Sequence, residues 1–175
     1  MSAMGKIKVI AQSAILTALA LALSYTERFI PLQLIIPLPG VKLGLANVVT
    51  LAALYLLGWK RTLPIVVVRC ILGGLFGGLT GILFSLTGGL LSLATMALCK
   101  KIPVFSIYGV SILGAAAHNI GQILAAMVLM ESVYVCAYLP YLLAVAIFTG
   151  IATGVACASV LRALKAVTIS EEMNR

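Results

Sequence analysis

Acidic residues are almost absent from this chain. Of 175 residues only four are acidic, and all are glutamates: Glu27, Glu131, Glu171 and Glu172. No two of them share an apolar segment, and the last two lie in the tail. A DDxxD-like cluster able to hold Mg2+ and a diphosphate is therefore missing, which excludes a Mg2+-dependent prenyl-transfer active site and points to a chain that is not itself an enzyme. There is no Walker A loop, so the chain does not hydrolyse ATP as a P-loop protein. The four cysteines, Cys70, Cys99, Cys136 and Cys157, are widely spaced with no CxxC pair. They give no zinc, iron–sulfur or haem signature and read as small apolar filler. Charge of either sign is scarce, at 9% of residues against roughly 25% in an average soluble domain.

What the chain has instead is apolar length. Hydrophobic residues make up 63% of it and the mean hydropathy is +1.21. Such a chain cannot cover its surface with polar groups, so lipid is its expected solvent. At about 20 apolar residues per crossing, six spans fit, drawn at 7–26, 43–58, 62–80, 82–99, 104–131 and 138–161. The second is thin for a ~30 Å hydrocarbon core. The third and fourth are divided inside GGLFGGLTG (73–81), where five glycines in nine residues are a weak place to continue a helix. The N-terminus imitates a signal peptide, with Lys6 and Lys8 before an apolar run, but further spans follow and it is read as the first of them.

The net charge of +8 does not indicate nucleic acid, because the basic residues form no helical face and aromatics do not interleave with them. They cluster between the apolar segments. With the N-terminus inside, Lys6, Lys8, Lys60, Arg61, Lys100, Lys101, Arg162, Lys165 and Arg175 are all cytoplasmic, and only Arg28 and Lys42 lie outside. That asymmetry predicts an even number of spans with both termini in the cytoplasm. The expected protein is a single integral membrane domain over 1–175, with a cytoplasmic tail at 166–175.

The longest loop, ERFIPLQLIIPLPGVK (27–42), is apolar and carries Pro31, Pro37 and Pro39, which forbid a regular helix across it. It reads as an amphipathic connector or as a lid over the mouth of the bundle, with Glu27, Arg28 and Lys42 at that mouth.

Polar residues inside the spans are few. His118, the only histidine, lies with Asn119 and Gln122 in an apolar segment. Counted from Val104 it falls about 21 Å along a helix, in the outer half of the membrane. His118 and Gln122 share a helix face. Polar side chains at such depth avoid lipid and mark a site or an interhelical hydrogen-bond cluster. Asn47 lies about one turn from the outer end of its segment and is a candidate to join His118 there. Arg69, near the Lys60/Arg61 cluster, either joins that site or snorkels toward the cluster, and snorkelling is the favoured reading. Two stripes of small residues repeat at four: Ala14, Ala18 and Ala22 in the first helix, and Ala146, Gly150, Gly154 and Ala158 in the last. Each suits either packing within the bundle or docking of another helix.

The strings PGVKLGLANVVTLAALYLLG (39–58), FSLTGGLLSL (84–93) and SILGAAAHNIGQ (111–122) resemble the Gx transporter family, also labelled heptaprenyl diphosphate synthase component I. The resemblance runs over roughly 9 to 165. More distantly, the arrangement is similar to the S components of energy-coupling factor vitamin transporters. It implies an S-component-like six-helix bundle in a bacterial plasma membrane. It assigns Ala14, Ala18 and Ala22 to docking on a membrane coupling subunit that works with an ATPase, 27–42 to a lid, and Asn47, His118, Asn119 and Gln122 to a pocket for a small cofactor or vitamin-like ligand. It also leaves open a flavin- or quinone-binding subunit of an electron-transfer or flavin-trafficking system with an extracytosolic redox partner, the flavin or quinone held non-covalently, and a non-catalytic accessory subunit of isoprenoid diphosphate synthesis.

Overall fold

The helices follow the apolar runs and stop where backbone or capping groups change. A computed structural model describes residues 3–29, 44–74 and 78–173; the side chains at 3, 4, 6, 8, 28 and 167–173 lie outside that description. Every element among these residues is helical: α1 (Ala3–Thr26, continued by a 3-10 turn at Glu27–Phe29), α2 (Asn47–Leu57), α3 (Trp59–Gly74), α4 (Gly78–Cys99), α5 (Ile107–Leu129) and, after a 3-10 turn at Val133–Tyr138, α6 (Leu139–Met173). The chain is an all-α membrane protein. Four helical stretches, Val9–Thr26, Gly78–Cys99, Ile107–Leu129 and Val133–Ala166, are long and apolar enough to cross a bilayer.

Consecutive helices α3 to α6 pack antiparallel, and the contacts fix their register. On α3 and α4, Gly74 lies against Ile82 and Gly89 against Val66 and Cys70, and the Cys70 thiol donates to the Ser85 carbonyl at 3.1 Å. On α4 and α5, Gly114 meets Met96 and Gly121 meets Thr87. On α5 and α6, Gly150 meets Ile112 and Gly154 meets Tyr108. The α6 stripe Ala146, Gly150, Gly154 and Ala158 is therefore internal packing, and all four residues are buried.

Two expectations change. The second segment is an eleven-residue helix, about 16 Å long, roughly half a bilayer core. Its last turn is held at the basic end, where Lys100 Nζ donates to the Leu54 carbonyl at 2.9 Å and lies 4.6 Å from the centre of the Tyr55 ring. A cation there suits the exposed carbonyls of a helix C-terminus. Asn47, the first residue of α2, is consequently at mid-depth and not near the outer end. The fifth helix also starts later than its apolar run, because Ser106 caps it, its hydroxyl accepting from Gly109 N. His118 then lies about 16 Å along α5, in the middle of the bundle.

The apolar core is divided at that level. One cluster contains Phe84, Ile123, Ala126 and Leu142. The other contains Leu51, Val66, Leu93, Met96 and Val110. Between them along α4 come Gly88 and Gly89, and along α5 comes His118. A polar layer separates two greasy ones.

Candidate ligand site in the bundle interior

His118 reaches this layer because α4 has no side chain to oppose it. A β-carbon at Gly88 would lie 2.9 Å from both Cε1 and Nδ1 of the imidazole. On the other side, the ring edge meets the N-terminus of α2. A β-carbon at Gly44 would be 2.9 Å from Asn47 Nδ2 and 3.4 Å from His118 Nε2. Gly44 has φ +81°, a conformation that favours glycine, so the turn into α2 can press its bare backbone against both side chains. The structure thus brings together Asn47 and His118, which are 71 residues apart in sequence.

Other expected site residues fall differently. Gln122 is fully buried, one turn from His118 on the same face. Asn119 turns away toward α6 and donates from Nδ2 to the Leu142 carbonyl at 2.7 Å, tying two helices together. Glu27 is 5% exposed and lies inside, not at a mouth: its carboxylate accepts from Leu45 N. This places an acceptor beside the N-terminus of α2, whose cap residue Ala46 has no side-chain acceptor of its own. Lys42, the side chain of Arg28 and the 30–43 part of the expected lid lie outside the described residues. Ala14, Ala18 and Ala22 are exposed on α1, and α1 packs only on α2 and α3 among the long helices described.

Arg69 belongs to the layer and does not snorkel. It is 5% exposed; Nη1 donates to Ser24 Oγ at 3.4 Å, and Nη2 lies against Gly89. Its sequence signal was a cation within an apolar run. What that signal left out is Gly89, on another helix, which makes room for the guanidinium. These groups follow one another in a ring: Arg69 bonds Ser24 on α1, Glu27 one turn further along α1 accepts from Leu45, Gly44 lies against Asn47 and His118, His118 lies against Gly88, and Gly89 lies against Arg69. Two shallow surface grooves, one lined by Leu83, Leu124 and Val128 and one by Trp59, Leu98 and Lys101, include no residue of this ring.

The polar capacity of the ring is not used up. Neither Nδ2 nor Oδ1 of Asn47 has a hydrogen-bond partner among the described residues, although Asn47 is 3% exposed. An amide offers a donor and an acceptor side by side, which suits a carbonyl or N–H edge of a small molecule.

Residues 16–160, most of the chain, match the family described as heptaprenyl diphosphate synthase component I. The chain belongs to that family. No curated protein and no solved structure matches it. The matched region begins within α1 and ends within α6, so it includes every ring residue.

Proposed function

We propose that this protein is a non-catalytic subunit of a bacterial plasma membrane. It binds a small cofactor or vitamin-like molecule in the polar ring and takes part in its transport. The observation that carries this reading is Asn47. A buried amide without partners among the described residues is unfavourable in an apolar interior, and here both it and the imidazole of His118 lie against Gly44. A ligand with an uncharged hydrogen-bonding edge, such as a quinone or an isoalloxazine ring, would complete it. The exposed alanine face of α1 supports a second element of the reading, a membrane coupling subunit docked there and driven by an ATPase.

The test is extraction and mass spectrometry of small molecules from protein purified in detergent. Wild type should carry one recurrent compound. The double variant Asn47→Leu/His118→Ala should carry at least tenfold less at equal yield of folded protein. Equal loading of the two would rule the ring out as the site.

The family description favours a second reading, an accessory subunit of isoprenoid diphosphate synthesis that anchors a soluble prenyl synthase. The scarcity of acids in this chain would then be natural, the chemistry residing in the partner. Co-purification of a soluble synthase, with no small molecule bound to wild type, would select this reading.

A further inference from the structure

The ring contains a cation with no ion-pair partner in hydrogen-bond contact among the described residues. Among the described residues the single polar contact of Arg69 is Nη1 to Ser24; Nε and Nη2 are buried without hydrogen-bond partners. Those two groups form one edge of the guanidinium, the edge that grips a carboxylate or phosphate with two parallel hydrogen bonds. The sequence leaves few candidates for a counter-charge. The 30–43 stretch and residues 75–77 contain no acid. Glu131 is exposed beyond the far end of α5, Glu171 and Glu172 lie near the C-terminus, and Glu27 is directed to Leu45 N. Arginine keeps its charge in proteins, and a buried charge without a partner is strongly unfavourable in a membrane interior. The guanidinium lies at the same depth as His118, since Gly88 and Gly89 are consecutive.

We infer that Arg69 is the anion anchor of the site: the ligand carries a carboxylate or phosphate that binds across Nε and Nη2. This rests on the ligand-binding reading above and narrows it, from an uncharged edge alone to an amphipathic acid.

The probes are decanoate and decyl phosphate, with decanol and decyltrimethylammonium as controls. Binding is read as thermal stabilisation of the full chain in an uncharged maltoside detergent. Either anion should raise the melting temperature saturably, and neither control should. Inorganic phosphate in place of decyl phosphate separates a free anion from a lipid-like one. In Arg69→Gln the half-saturating concentration should rise at least tenfold, with Arg69→Lys between the two. Without any anion, Arg69→Met should melt no lower than wild type, because it removes an uncompensated charge. Equal protection by decanol, undiminished protection in Arg69→Gln, or a markedly lower melting temperature of anion-free Arg69→Met would each overturn the assignment. Loss of protection in Asn47→Leu but not in Arg69→Gln would leave the ligand site standing and remove only the anchor. Absence of protection by any anion in wild type would overturn the anchor, while the extraction experiment decides separately whether the ring is loaded.

Discussion

A methyl group added at Gly88 would have nowhere to go. It would meet the imidazole at 2.9 Å and the His118 carbonyl at 3.0 Å, so neither a ring flip nor a small rotation relieves it. Gly88→Ala is expected to displace His118, reduce ligand loading about tenfold and destabilise the protein by about 1–3 kcal/mol. Thermal unfolding and extracted-ligand quantitation check the two effects separately. Asn119 gives the complementary case. Asn119→Ala removes the bond to Leu142 and should destabilise by about 1 kcal/mol, the scale of interhelical hydrogen bonds in membranes, while leaving ligand loading unchanged; a loss of loading as large as that of Asn47→Leu would mean that Asn119 belongs to the site. At this scale the sequence showed which residues are polar inside lipid, and Asn47 and His118 could be paired on that basis. It did not show their directions. Asn119 and His118 are neighbours in sequence and face different helices, and the position of Arg69 depends on a glycine 20 residues away.

Among the elements, α1 stands apart. Its packed side runs through Leu16, Ala20 and Leu23 against Ala46 and Val49, while Ala14, Ala18 and Ala22 face outward with Ile15 and Leu19. Small residues on an outward face allow a neighbouring helix to approach closely. Ala18→Trp is therefore expected to abolish co-purification of a membrane partner without lowering the melting temperature of the isolated protein; a lowered melting temperature with retained partner would reverse the assignment. The two four-residue stripes looked alike in sequence and differ in structure, because the α6 stripe is buried against α5 at Ile112 and Tyr108 and the α1 stripe is exposed. Helix existence was legible from apolar length alone. Helix ends were not, because they are set by particular groups: Ser106 at the start of α5, and Gly58 with φ +78° between α2 and α3. The short α2 follows from the same limit, since an apolar run does not reveal where in it the helix begins.

For the whole molecule, the exposed basic side chains among the described residues gather at one end. Lys60, Arg61, Lys101, Arg162 and Lys165 are exposed there, and the exposed thiol of Cys136 lies at the other end, before α6. With the basic end in the cytoplasm, a membrane-impermeant maleimide added to intact cells should label Cys136 and leave Lys101→Cys unlabelled; the reverse pattern would invert the topology. The proposed site lies at mid-depth among α1 to α5. The single histidine allows that site to be observed directly. With histidine carrying 13C in its ring, and an affinity tag free of histidine, the protein has one imidazole signal, that of His118. After removal of the bound compound, returning the extract of wild-type protein should shift this signal saturably, and the shift should vanish in Asn47→Leu. A His118 signal that does not respond to the extract would contradict a ligand site at the ring.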